Sequence, residues 1–215
     1  MSGIAGAPPT RRGVCLVISA PSGAGKSTIM RALLHSEPEL TVSISATTRA
    51  PRPGERDGDH YLFRSTEAFA AMVEAGEFLE WAEVFSRRYG TPRAPVEQAL
   101  AAGRDVAFDI DWQGHRQVRA ALPGDVVSVF VLPPSLVVLE ERLHARAGDD
   151  PAEIARRMRA AQAEIAHWPE FDYTVINDRL DDALATVRCV LQAARCATVR
   201  QPGLAAFVAG LATTG

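Results

Sequence analysis

The sequence predicts an α/β fold, with a parallel sheet covered by helices on both faces. Three observations predict it. Apolar runs of strand length recur without the alternation that a half-solvated sheet would show. Stretches with helical spacing stand between them, as the crossovers of a parallel sheet require. The first run leads through a small-residue loop, "SAPSGAGKST", directly into a helical stretch.

Residues 1–12 lack the apolar segment of a secretory signal and read as a flexible leader. "GVCLVIS" (13–19) is a buried strand and "KSTIMRALLHS" (26–36) a helix. Between Thr41 and Pro92 the rhythm changes to short alternating strands, the turn "RPGERDGDH" and one helix (65–75), which reads as an inserted antiparallel lobe. "DVAFDID" (105–111) and "DVVSVFVLP" (125–133) are two more buried strands. From Ser135 to His167 two charged helices meet at "AGDDP", with Asp150 as a cap and Pro151 in the first turn; this segment reads as a mobile lid. "YTVIND" (173–178) is a fourth strand, followed by a helix from about Leu180 to Arg200 and a loosely docked tail, 201–215. The expected organisation is a single domain over 13–200. Its core is 13–40, 93–134 and 168–200, its lobe 41–92 and its lid 135–167.

A chain of 215 residues with 47% hydrophobic residues can build one real core. No apolar run approaches the roughly 20 residues of a membrane span, so no membrane partner is expected. Three scattered cysteines do not make a disulfide framework, and the cytoplasm is the expected location. A net charge of −3 argues against broad nucleic-acid binding. The arginines are nevertheless clustered, at 49–56, 87–93 and 142–159, which suits a small polyanion such as a nucleotide.

A strand, a glycine-containing loop and a helix opening with Lys-Ser form the P-loop arrangement. The loop runs Ala20, Pro21, Ser22, Gly23, Ala24, Gly25, Lys26, Ser27, Thr28. Gly23 and Gly25 let backbone N–H groups curl around phosphate oxygens, and the helix N-terminus adds its dipole. Lys26 can reach the β- and γ-phosphates, and Ser27 can offer its hydroxyl to Mg²⁺. Ala20 stands where the pattern usually has its first glycine. Asp109 ends an apolar run, the position of the second metal-side ligand. Asp111 follows two residues later, which would place both carboxylates on one face of the strand.

With these residues in place, the chain resembles bacterial guanylate kinases, enzymes that phosphorylate GMP with ATP. "SAPSGAGKST", "TTRAPRPGE" (47–55), "FLEWAEVFSRRYGT" (78–91), "DIDWQG" (109–114), "LPPS" (132–135) and "VIND" (175–178) carry the likeness over roughly 13–200. The resemblance implies a P-loop kinase with a parallel sheet core covered by helices, an inserted mixed α/β nucleotide-monophosphate-binding lobe and a helical lid. By the same resemblance Arg49, Arg52, Tyr61 and Tyr89 would hold the GMP phosphate, and Glu55 would support the arginines. Ser45, Glu80, Thr91 and Asp111 would read guanine. Lys26, Arg142, Arg146 and Arg157 would surround the transferred phosphoryl group, with Arg52 counted beside them as catalytic. Asn177 would sit near the adenine. Ala147 fills a place that is glycine-like in the family, which bears on hinge flexibility rather than on chemistry.

ATP and GMP are the implied partners and Mg²⁺ the implied cofactor, with homo-oligomer formation left open. A phosphate oxygen is already ionised near neutral pH, so the transfer needs charge management rather than a general base. Two other readings stand beside this one: a guanylate-kinase-like module that binds phosphopeptides, and a P-loop kinase for another phosphorylated acceptor such as a ribose bisphosphate.

Overall fold

The computed structural model describes residues 11–84, 86–146 and 151–212, without the side chains of Arg146 and Ala212. Ala147 and Asp150 lie outside the described residues. In chain order, β1 (Cys15–Ser19) leads to α1 (Lys26–Ser36) and β2 (Leu40–Val42). Next come β3 (Ala46–Thr47), β4 (Leu62–Phe63), α2 (Thr66–Glu74), β5 (Phe78–Val84) and β6 (Arg87–Pro92). Then follow α3 (Arg93–Ala101), β7 (Asp105–Asp109), α4 (Trp112–Ala121) and β8 (Val126–Leu132). The chain continues through α5 (Leu136–Arg146), α6 (Pro151–Ile165), β9 (Tyr173–Ile176), α7 (Leu180–Cys196) and α8 (Leu204–Ala212).

Five strands form a parallel sheet in the order β2-β7-β1-β8-β9. β1 lies at its centre, and its side chains alternate between two cores. Leu16 and Ile18 pack with Ile29, Leu33, Val187 and Leu191 of α1 and α7. Cys15 and Val17 pack with Leu100, Phe108, Val118 and Phe130 on the other side. Burial on both faces explains why β1 is apolar throughout.

β2 pairs with β7 in register from Leu40↔Asp105, so the boundary expected between residues 40 and 41 falls inside a strand of the main sheet. The second sheet, β4-β3-β6-β5, is mixed rather than antiparallel throughout, because β3 and β4 run parallel. It has its own small core, in which the rings of Phe69 and Phe78 stack at 4.5 Å. Leu139, Leu143 and Ala161 form another between α5 and α6.

Three further boundaries differ from the sequence reading. β7 stops at Asp109, and Asp111 caps α4, accepting the N–H groups of Gln113 and Gly114 at 2.9 Å each. The two carboxylates therefore do not share a strand face; the requirements of a helix N-terminus override the period of two. α7 stops at Cys196 instead of Arg200, because Ala197 turns extended. That break lets the buried Arg200 donate to the carbonyls of Gly13 and Asp125, at 3.2 and 2.9 Å. The leader is tied down at its end: Arg11 grips Asp105 at 2.7 and 2.9 Å, and Arg12 grips Asp125 at 2.6 Å twice.

Candidate active site

The loop from Ala20 to Gly25 leaves the carboxyl end of β1 and opens α1. Gly23 and Gly25 adopt φ of 91° and 101°, a region that side chains disfavour. Space enforces the same choice. A Cβ on Gly25 would stand 2.2 Å from Nδ2 of Asn177, and one on Gly23 would stand 2.9 Å from Leu139. Asn177 in turn donates to the carbonyl of Ala24 at 2.8 Å, so it braces the loop itself.

Lys26 begins α1, and its ammonium pairs with the Asp109 carboxylate. Parallel pairing of β1 with β7 sets this, by placing Ile18 opposite Asp109. Ser27 is exposed in the first turn of α1. A cavity of about 280 Å³ is lined by Ala20, Pro21, Ser22, Gly23, Gly25, Lys26, Ser27, Asp111 and Glu164. An adjoining cavity of about 350 Å³ includes Gly23, Gly25, Thr28, Arg142 and Asn177. Arg142 donates one guanidinium nitrogen to the Asn177 carbonyl at 3.1 Å, and its Nη1 is buried with no partner among the described residues. Such a group suits an anionic ligand.

On the second sheet, register places Glu80 directly opposite Thr91. Glu80 is 7% exposed, and the Thr91 hydroxyl donates to its Oε1 at 2.7 Å. Burial pushes the Glu80 carboxyl above its usual range; the Thr91 bond opposes this, and the charge of Asp111 adds to it. Glu80 is thus a buried acceptor facing the start of α4, since a Cβ on Gly114 would come within 3.4 Å of its Oε2. A ligand bearing N–H donors would satisfy it. Gln117 braces this strand by bonding both the N–H and the carbonyl of Trp81, at 3.0 and 3.1 Å.

Glu55 organises the neighbouring basic segment. It accepts from the Arg49 guanidinium at 2.8 Å and from the Arg52 backbone N–H at 2.7 Å. Arg49 first, and the Arg52 N–H second, hold its carboxyl down to about 2. The Arg49 guanidinium lies over the Tyr61 ring at 5.3 Å, and Tyr61 meets Tyr89 edge-on at 6.1 Å. The Arg52 side chain is exposed, with no bond among the described residues. Ser45 lies just before β3, half-buried.

The structure therefore gathers Ala20–Thr28, Asp109, Arg142 and Asn177 at the sheet edge, and Arg49, Glu55, Tyr61 and Tyr89 on the second sheet. Asp111 and Glu80 sense each other's charge between the two groups. Arg157 lies apart from the loop cavity's lining, its Nε 3.1 Å from Oε1 of Glu153. Arg146 closes α5, but its side chain is outside the described residues. Sequence reasoning missed Glu164, Gln117 and the packing of Leu139 on Gly23. Only Glu164 left a trace in the sequence, as an acid seven residues beyond Arg157.

A phosphate-binding loop at the carboxyl edge of a parallel sheet, joined to an inserted sheet and a helical pair, defines the P-loop kinase class. Comparison with known proteins narrows the class: the guanylate kinase family model matches residues 12–194, and the chain belongs to that family. It is 67% identical to a guanylate kinase of Gluconobacter oxydans over 93% of this chain and 96% of that one. A guanylate kinase of Granulibacter bethesdensis is 58% identical, with 94% of each chain covered. The crystal structure of guanylate kinase from Anaplasma phagocytophilum superposes with a TM-score of 0.73 at 34% identity, covering 93% of this chain and 95% of that one.

Proposed function

We propose that the chain transfers the γ-phosphoryl group of ATP to GMP, giving ADP and GDP. The observation that supports this most is a P-loop lysine facing Asp109 in a fold whose second sheet buries a carboxylate, Glu80, with no cation partner among the described residues. Guanine offers N1–H and the N2 amine to such a group; adenine has no N1–H.

Donor phosphates bind the N–H groups of the loop and the ammonium of Lys26. Arg142, with its unsatisfied nitrogen, adds charge from α5, and Arg146 and Arg157 act with it. Asn177 stands beside the adenosine end. Arg49, Arg52, Tyr61 and Tyr89 hold the acceptor phosphate, and Glu55 keeps Arg49 in place. Glu80, Thr91, Ser45 and Asp111 read the base. Ser27 and Asp109 would hold Mg²⁺: a hydroxyl and a carboxylate at the loop form an oxygen-only donor set that fits a hard cation. That ion, when bound, would neutralise charge on the donor phosphates.

The helices α5 and α6 serve as a lid that excludes water, and the second sheet as the acceptor lobe. Intact Lys26, Ser27 and Asp109 disfavour a pure phosphopeptide binder. We place the protein in the cytoplasm, acting on free nucleotides rather than on nucleic acid or membrane; no helix among the described residues is long and apolar enough to cross a membrane. Homo-oligomers are compatible with this reading. The test is an acceptor screen: purified chain, Mg·ATP, and GMP, AMP, CMP, UMP or a ribose bisphosphate, followed by ADP release. GMP should lead by about 10³-fold or more, and failure with GMP would overturn the reading.

A further inference from the structure

Three carboxylates stand at the P-loop among the described residues. Asp109 pairs with Lys26, and Asp111 caps α4. The third, Glu164, comes from α6 and has neither task. It is half-buried and lines the same cavity of about 280 Å³ as Ser22, Lys26 and Ser27. Burial pushes its carboxyl above the usual range and the charge of Asp111 adds to this, while the nearby Ser22 backbone N–H and the charge of Lys26 oppose it. Those two donors are the ones a P-loop turns toward phosphate oxygens. A carboxylate there makes the same demand on them as a phosphate.

Its place on α6 supplies a second observation. Arg157, the buried Ala161 and Glu164 fall at i, i+4 and i+7, on one stripe of the helix. Arg157 and Glu164 are thus two turns, about 10.5 Å, apart along the axis. Arg157 is held toward Glu153, while Glu164 faces the loop. One face of α6 therefore carries an anion at the loop and a cation two turns away. A phosphate entering the cavity repels the first and attracts the second, and both forces favour the same displacement of the helix.

We propose that Glu164 is a positioning residue for phosphoryl transfer: it stands at the P-loop donors as an internal phosphate mimic, and donor phosphate displaces it, drawing Arg157 on the same face toward the transferred group. This rests on the reading that donor phosphates bind at this loop and that Arg157 serves the lid. It makes Glu164 a residue that lowers nucleotide affinity while coupling phosphate binding to lid movement.

The experiment is titration of the full-length chain with Mg-free ADP, with adenosine as the uncharged control. Glu164→Gln should bind ADP about three- to tenfold more tightly at low salt, as removal of one partly screened charge beside a phosphate implies. The gain should largely vanish near 1 M salt, where the screening length is about 3 Å. Adenosine affinity should not change. A residue with a merely structural role would give weaker binding or none. Glu164→Asp keeps the charge but withdraws it by one methylene and should fall between the parent and Glu164→Gln, which covers the case in which Glu164→Gln does not fold. ADP affinity at or below that of the parent in a folded variant, or an equal gain for adenosine, overturns the proposal. GMP turnover by the unmodified chain is scored separately: its absence would remove the proposed function, whereas an unchanged ADP affinity would remove only the role of Glu164.

Discussion

The Thr91 hydroxyl donates to Oε1 of Glu80 at 2.7 Å across a directly paired position of β5 and β6. A hydroxyl carries one proton. While that bond holds, Thr91 orients the carboxylate and does not also donate to a base. Under the proposed function, Thr91 then acts on the base through Glu80, and Ser45 is left to donate to guanine O6.

Glu80 should set the choice between GMP and AMP. Glu80→Gln keeps the size but turns one acceptor oxygen into a donor. GMP efficiency should fall by about 10²-fold or more, with a small gain for AMP. Thr91→Val should cost GMP about tenfold through loss of a bond to a charged group. The measurement is the ratio of kcat/KM for the two nucleotides in each variant. An unchanged ratio in Glu80→Gln would remove Glu80 from base reading.

Lys26→Ala should lower kcat about 10²- to 10³-fold, the usual loss when a transition-state charge contact is deleted. The fold should survive, because the Lys26 side chain is 22% exposed and its partner Asp109 is 39% exposed, so the carboxylate left behind stays solvated. Single-turnover rates and circular dichroism together check this.

Arg52→Ala should weaken GMP binding while leaving ATP binding and thermal stability near those of the parent. The Arg52 side chain is exposed and bonds nothing among the described residues, whereas its backbone N–H anchors Glu55 and is retained in both Arg52→Ala and Arg52→Lys. Arg52→Lys should also be poor, because an ammonium cannot fork across two phosphate oxygens. Separate titrations of GMP and ATP would reveal a shared or structural role if both weakened equally.

Gly25→Ala should lose both stability and ATP binding. The new methyl group would meet Asn177 at 2.2 Å, and Asn177 cannot retreat without releasing Ala24. A φ of 101° adds backbone strain of about 1–3 kcal/mol. Thermal unfolding with and without ATP would show a lower midpoint and a lost ligand shift.

Acid should destabilise the protein through His115. This ring is 1% exposed and stacks on Phe171 at 4.1 Å. Burial first, and then the charge of Arg119, press its pKa from 6.5 down to about 4. The unfolded chain takes up the proton near pH 6.5 and the folded chain only near 4. The stability it contributes is therefore complete above about pH 6.5 and falls as pH drops toward 4. His115→Phe keeps a ring on Phe171 and removes the titration, so its unfolding midpoint should vary less across that window. Equal slopes for both proteins would exclude His115 as the source.

The P-loop was legible because it is local. One strand, two glycines with positive φ, a lysine and a helix start lie within consecutive residues, so local geometry sets the arrangement. The buried strands were legible for a similar reason, since burial on both faces leaves a continuous apolar signature. The period of two misled at Asp111, because whether a strand continues or a helix begins depends on which backbone N–H groups need a cap.

The tertiary structure decided the rest. Glu80 reads in sequence as a strand residue between Leu79 and Trp81; the register of β5 on β6 and the packing of α4 bury it and give it Thr91. Lys26 finds Asp109 only because β1 pairs with β7. Glu164 and Ser22 are brought to one cavity by the packing of α5 and α6 beside the loop. Residue type and spacing determined which chemistry the chain could hold; contacts between residues distant in sequence, whose free energy no local segment contains, decided which groups meet.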